Sequence, residues 1–172
     1  SGSWGDATIE WGNGTTINSS DLSSLPIYFN KNYSDKKSHL ITINGSGLNT
    51  ISGMFCFNNE LTSLNVSNNP KLKTLEILKN KLKDIDISKN IELTELNCTW
   101  NQLKSLDVTK NTLLEILSCE NNQLTSLNVC NNTKLMSLFL RSNQLNSNQL
   151  NNLFKTLHKN KIWEKTIYIG GN

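Results

Sequence analysis

The chain has 172 residues, 18% of them charged, and a formal net charge of +3. That length suits one domain of ordinary size, and the charge is too mild and too scattered for a dedicated nucleic-acid binder. No apolar run approaches the roughly 18 residues of a membrane-spanning helix, and Leu and Ile recur too regularly for a disordered chain. Two residue types, 28 Asn and 26 Leu, supply nearly a third of the sequence, so internal repetition is the first property to test.

Residues 1–50 are not periodic and read as an N-terminal cap. Ala7 to Trp11 alternates, and Gly12-Asn13-Gly14 supplies residues that accept positive φ, which predicts a β-hairpin. Leu40-Ile41-Thr42-Ile43 falls one full repeat before Leu61 to Leu64 and is expected to begin a coil stack, although Gly45 and Leu48 leave the pattern. Trp4, Trp11, Tyr28 and Phe29 are expected to cover the open end of the core.

From residue 51 to 145 the sequence repeats without gaps. Asn59, Asn80, Asn101, Asn122 and Asn143 recur at a constant period of 21, and Asn69, Asn90, Asn111 and Asn132 keep the same period. Leu61, Leu82, Leu103, Leu124 and Leu145 form one apolar column; Leu64, Ile85, Leu106 and Leu127 form another. Coils therefore begin at Ile51, Leu72, Leu93, Leu114 and Leu135, and each contains two halves reading L-x-x-L-x-[VILC]-x-x-N. Places four and six of each half alternate with polar residues, the period-two signature of a short, half-buried strand, so two strand segments per coil are predicted. One coil cannot bury a core alone, and stacking supplies it. The Asn columns are expected to satisfy the backbone groups of the turns as hydrogen-bonded ladders.

Residues 146–172 change character. Leu150, Leu153, Phe154 and Leu157 have helical spacing behind Ser147 or Asn148 as cap, predicting a helix from about residue 148 to 158. Ile167, Ile169 and Asn172 fit places four, six and nine of one more strand. The sequence ends on a repeat Asn and begins Ser1-Gly2-Ser3, with no visible signal peptide or lipid-attachment Cys. It reads as a piece of a longer polypeptide, or one needing a further cap, with a processed or engineered start.

The motif L-x-x-L-x-C-x-x-N-x-L-x-x-L-[DN]-V-x-x-N, carried by residues 51–145, resembles the leucine-rich repeat in its 21-residue IRREKO-type variant. Cys56, Cys98 and Cys119 at place six are typical of that variant, with Ile77 and Leu140 replacing Cys in the other coils. The flanking stretches Thr8-Ile9-Glu10-Trp11-Gly12-Asn13-Gly14 and Thr166 to Asn172 are similar to the ends of bacterial (Bacteroidetes-like) secreted or surface proteins that carry such repeats. The resemblance implies a repeat solenoid: a right-handed, β-rich coil stack with a β-containing N-terminal cap and a short C-terminal helix. It also implies an extracellular or cell-surface setting and a non-enzymatic role in binding.

The residues themselves point away from catalysis. His39 and His158 are the only histidines and lie in different regions, so no nucleophile–base–orienter set can be assembled. Phosphate-loop, H-E-x-x-H and EF-hand spacings are missing, no CxxC pair is present for zinc, and no cofactor is implied. Cys56, Cys98 and Cys119 are expected to be free core thiols, and Cys130 to face outward. Asp84, Asp86 and Asp107 alternate with Lys83, Lys89, Lys104 and Lys110, which reads as a solvated mixed-charge face rather than a calcium site.

The two halves of each coil act as internal controls for one another. At place five the second half reads Asn65, Asp86, Asp107, Asn128, whereas the first half reads Phe55, Glu76, Asn97, Ser118, Phe139 and then Tyr168. Places seven and eight of the first half add Phe57, Leu78, Trp100, Glu120 and Arg141, and place three adds Glu95 and Ile116. Large apolar groups on an outward strand face have no packing reason to be there and mark a recognition surface. The expected ligand of this face, the concave one by resemblance, is a protein, with the chain serving as part of a bacterial surface adhesin. A carbohydrate that stacks on the aromatics is the alternative, and a structural spacer whose neighbour covers these residues is a third reading.

Overall fold

The computed structural model describes residues 51–157 and 166–171 with their side chains, and the backbone of four strands before them. Those four are β1 (Ala7–Trp11), β2 (Thr15–Ser19), β3 (Ile27–Tyr28) and β4 (Leu40–Gly45). The hairpin expected of the first pair is present: β1 lies antiparallel to β2, with Ile9 opposite Ile17. Its turn, residues 12–14, is outside the described residues, as are Trp4, Phe29 and the side chains of Trp11 and Tyr28.

Each coil places one short strand at template places three to five: β5 (Gly53–Phe55), β7 (Thr74–Glu76), β8 (Glu95–Asn97), β9 (Ile116–Ser118) and β10 (Ser137–Phe139). These pair in parallel at the sequence period, Thr74 with Glu95 and Glu95 with Ile116. β11 (Thr166–Tyr168) extends the sheet beyond β10, and β3 extends it beyond β5, which completes seven strands in the order β11-β10-β9-β8-β7-β5-β3. Parallel pairing follows from the architecture, because each strand is reached only after a full turn of the coil in the same direction.

The middle residue of each strand points inward. Met54, Leu75, Leu96, Leu117 and Leu138 are fully buried, as are Cys56, Ile77, Cys98, Cys119 and Leu140 two places on. The columns headed by Ile51 and Leu61 close the core from the other walls. The asparagines do what their amides allow. The Asn101 Oδ1 accepts the Leu82 N–H at 3.0 Å, while its Nδ2 donates to Ile77 O at 2.9 Å and Cys98 O at 3.0 Å. One side chain therefore ties its own turn to the preceding coil, and Asn80, Asn122 and Asn143 repeat the pattern. In the second column the Asn111 Nδ2 donates to Ile87 O and Asn90 O, and Asn132 does the same one coil later.

The second halves differ from the two-strand expectation. Only the first coil has a strand there, β6 (Ser63–Leu64), which joins β4 in a four-stranded sheet ordered β2-β1-β4-β6. In every second half a place-five side chain accepts the N–H two places on, as Asp86 does from Ser88 at 2.9 Å and Asp107 from Thr109 at 2.9 Å. The Asn90 and Leu93 N–H groups then donate to Ile87 O and Asn90 O within the same turn. These bonds close the turn that follows place five. The first coil makes the same ones through the Ser67, Asn69 and Leu72 N–H groups and still forms β6, so what distinguishes it is the strand β4 alongside.

Two further details do not follow from the period. β4 pairs with β6 as Leu40 with Ser63, whereas the repeat would set Leu40 opposite Leu61. The C-terminal helix, α1 (Ser147–His158), is capped by Asn146 and not by Ser147 or Asn148. The Asn146 Oδ1 accepts the N–H groups of Asn148 and Gln149, while Gln149 Oε1 accepts the Asn146 N–H in return. That reciprocal pair is a capping box with amides in both roles. Leu153 and Leu157 are buried in the same core cluster as the coil leucines.

Candidate ligand-binding face

The seven-stranded sheet turns its outer face to solvent, and places three, five and seven of the coils line it. At place five the column runs Phe55, Glu76, Asn97, Ser118, Phe139 and Tyr168 across β5 and β7 to β11. All but Tyr168 are half-buried, because neighbouring strands cover the base of each side chain; Tyr168 is exposed. β3 adds a member that the period could not reveal. Tyr28 is the register partner of Phe55, yet the two positions are not separated by any multiple of the repeat. The column thus has aromatic residues at both ends and polar ones between.

Phe139 and Tyr168 are not independent side chains in solvent. Their rings stack with centroids 5.1 Å apart and planes 8° from parallel. Strand spacing of about 4.8 Å sets that distance, since parallel strands in register place like residues one above another. Each ring therefore turns one face to the other along the stack.

Phe57, Leu78, Glu120 and Arg141, at place seven, lie two residues past the strand ends, and Trp100, at place eight, lies three past. Place eight adopts a left-handed backbone in every described coil: Asn58, Lys79, Trp100, Asn121, Ser142 and Gly171 have φ between 52° and 74°. This conformation aims the place-eight N–H at the next coil, as in Trp100 N to Glu120 O at 3.0 Å and Asn121 N to Arg141 O at 2.9 Å. Asn and Gly accept it readily, whereas a bulky side chain there is strained by about 1 kcal/mol. Trp100 is nevertheless 56% exposed. It gains no buried position in return for the strained backbone.

The carboxylates on this face are held close together. Burial raises the Glu76 pKa, and the neighbouring Glu95 carboxylate raises it further. Across the molecule, in the second halves, Asp86 and Asp107 are shifted down by hydrogen bonds from Ser88 and Thr109, so their charge supports the turns they close. Among the described residues, no three His, Cys, Asp or Glu side chains converge as a metal site would require. Nor is any described helix long and apolar enough to cross a membrane.

The sequence matches no established family profile and no curated protein. Solved structures do share the arrangement. The functional domain of InlJ from Listeria monocytogenes, described as including a cysteine ladder, has a TM-score of 0.60 and 28% identity, over 71% of this chain and 25% of its own. An internalin (inlF) from Listeria monocytogenes str. 4b F2365 has a TM-score of 0.62 and 25% identity, over 72% of this chain and 37% of its own. The chain is a leucine-rich-repeat solenoid. Both neighbours are Listeria proteins, not proteins of the Bacteroidetes-like bacteria that the flanking motifs imply, and this chain spans well under half the length of each.

In this leucine-rich-repeat chain the place-six column reads Cys56, Ile77, Cys98, Cys119, Leu140. All three cysteines are free and fully buried, as expected of packing residues. Burial pushes the Cys98 thiol up to about 12 and raises those of Cys56 and Cys119 as well. Cys130 is half-exposed. A maleimide should therefore label one thiol in the native chain, at Cys130, and all four in denaturant. Mass spectrometry that finds two or more labels on the folded chain would refute the packing role.

Proposed function

We propose that this chain is a non-enzymatic binding module that recognises a protein ligand through the outer face of its first-half strands, as part of a secreted or cell-surface adhesin. The observation that carries the reading is Trp100, an indole that is 56% exposed on a left-handed backbone at φ 59°. A strained aromatic left more than half exposed contributes little to folding, and Trp is among the residues that dominate protein recognition. The candidate contacts are Phe55, Phe57, Glu76, Leu78, Asn97, Trp100, Ser118, Glu120, Phe139, Arg141 and Tyr168. They run along six strands of the sheet, β5 and β7 to β11, a strip on the order of 24 Å long at ordinary strand spacing. The kinship in fold with InlJ and an internalin supports a surface setting.

The carbohydrate reading needs open aromatic faces. In the Phe139–Tyr168 stack each ring covers one face of the other, which favours protein over sugar. The test uses residues this chain already carries at equivalent places. Trp100→Asn copies Asn121, and Phe139→Ser copies Ser118. The double variant and the parent chain are applied to a surface-protein array beside a glycan array. Protein binding that disappears in the variant supports the module. Signals confined to glycans and lost in the variant would establish the alternative, and signals equal in both chains would leave the spacer reading in its place.

A further inference from the structure

Charge is distributed over the solenoid against the sign of the whole chain. The net charge is +3, yet places three, five and seven of the strand face carry Glu76, Glu95 and Glu120 against a single cation, Arg141. Lysines stop at its margins, with Lys73 just before β7 and Lys79 just after it, and Glu115 takes the marginal place just before β9. Elsewhere a carboxylate finds a lysine one coil away: Lys71 binds Glu92, and Lys81 reaches Glu60 at 2.9 Å. Neither Glu76, Glu95 nor Glu120 forms an ion pair among the described residues. The three occupy successive coils. Glu76 and Glu95 are diagonal neighbours, since Glu95 pairs with Thr74 and Glu76 with Asn97. Glu120 accepts the Trp100 N–H through its backbone, which sets its side chain beside the indole's turn.

Three unpaired carboxylates on one sheet face repel one another, and a neutral or acidic occupant would bury them without compensation. A basic occupant removes the repulsion, and its cations also suit aromatic neighbours. We propose that the occupant of this face is a basic protein segment. It sets Lys or Arg side chains against Glu76, Glu95 and Glu120, and its apolar side chains against Trp100 and the Phe139–Tyr168 pair. The inference rests on the binding reading above and deepens it by specifying the chemistry of the partner.

The test selects random peptides, displayed on phage, against the immobilised 172-residue chain. A selected peptide is then synthesised and titrated against the parent chain, against the triple variant Glu76→Gln, Glu95→Gln, Glu120→Gln, and against Trp100→Asn, Phe139→Ser. Unchanged urea midpoints confirm that the variants fold. The selected peptides should be rich in Lys or Arg next to apolar residues. Their affinity should fall with salt, and the triple variant should lose about tenfold or more and most of the salt dependence. Binding lost in the aromatic variant but kept in the triple variant would overturn the basic partner and leave the binding face standing. Loss in the triple variant alone would support the basic partner and remove Trp100 and Phe139 from the contact. Peptides that are neutral or acidic, or indifferent to both variants, would overturn the proposal.

Discussion

Replacing Asn101 with Asp is expected to lower the stability of the solenoid by roughly 3–5 kcal/mol, the cost of an uncompensated buried charge, read from the urea midpoint and slope. The change keeps an oxygen for the Leu82 N–H but removes one of the two amide donors at Ile77 O and at Cys98 O, which keep those of Asn80 and Asn122. The main cost is the new carboxylate, which faces both carbonyl oxygens without a compensating charge at a site only 8% exposed. Its pKa in the folded chain must then lie above its unfolded value. The folded state binds the proton more tightly, so the variant recovers stability relative to the parent in acid and loses it as pH rises through the raised pKa.

The same substitution elsewhere is the control. Asn65→Asp should change stability by less than about 0.5 kcal/mol near neutral pH. Asn65 accepts only the exposed Ser67 N–H, and Asp86 and Asp107 already fill its place in the next two coils. If both variants unfold at the same urea concentration, the amide ladder does not hold the coils together as described. The natural aspartates carry the opposite sign. Hydrogen bonds from Ser88 and Thr109 lower the pKa values of Asp86 and Asp107, so their contribution is complete above the unfolded carboxylate pKa and is lost as pH falls through the lowered values.

The contrast between the two asparagine positions also explains what can be read from the chain without a structure. Core columns and turn amides are legible because the same physical demand returns once per coil and is answered by the same residue type. Leu75, Leu96 and Leu117 need no structure to be recognised as stacked core residues. Features that occur once are not legible in this way. Tyr28 joins the place-five column through a connection longer than one coil, and β4 docks out of the repeat's register. The Asn146 cap depends on the return bond from Gln149, an outcome decided by geometry among several adjacent candidates. Alternation alone predicts strands in the second halves, but alternation reports which side chains are buried, not where the backbone donors go. Among the described second halves a strand forms where β4 lies alongside, at β6.

For the candidate face, the sequence exposes the exceptions to the repeat but not their cost. Phe139 and Tyr168 read as separate exposed aromatics until β11 is seen to pair with β10 in register and stack them. Trp100 reads as a large residue at a variable place. Only its backbone angle shows that the solenoid would be better served by another side chain there.

Trp100→Asn should consequently separate binding from stability. Asn fills place eight in two other coils at φ 58° and 52°, so it accepts the geometry that Trp100 adopts at 59°. Relief of strain offsets the contacts of the partly covered indole, and the urea midpoint should stay level or rise by the equivalent of up to about 1 kcal/mol. Affinity for the ligand should move the other way. A central aromatic contact of this kind is worth about 2 kcal/mol or more, which is roughly a 30-fold weaker Kd by surface plasmon resonance. Asn121→Trp makes the reciprocal substitution one coil along, where the same left-handed turn carries no aromatic. It should cost about 1 kcal/mol and leave affinity unimproved, because strain follows from the backbone and recognition from the particular place on the face. If Trp100→Asn instead destabilises the chain by as much as a core truncation, about 2–5 kcal/mol, the indole is a packing residue and the binding face loses its principal contact.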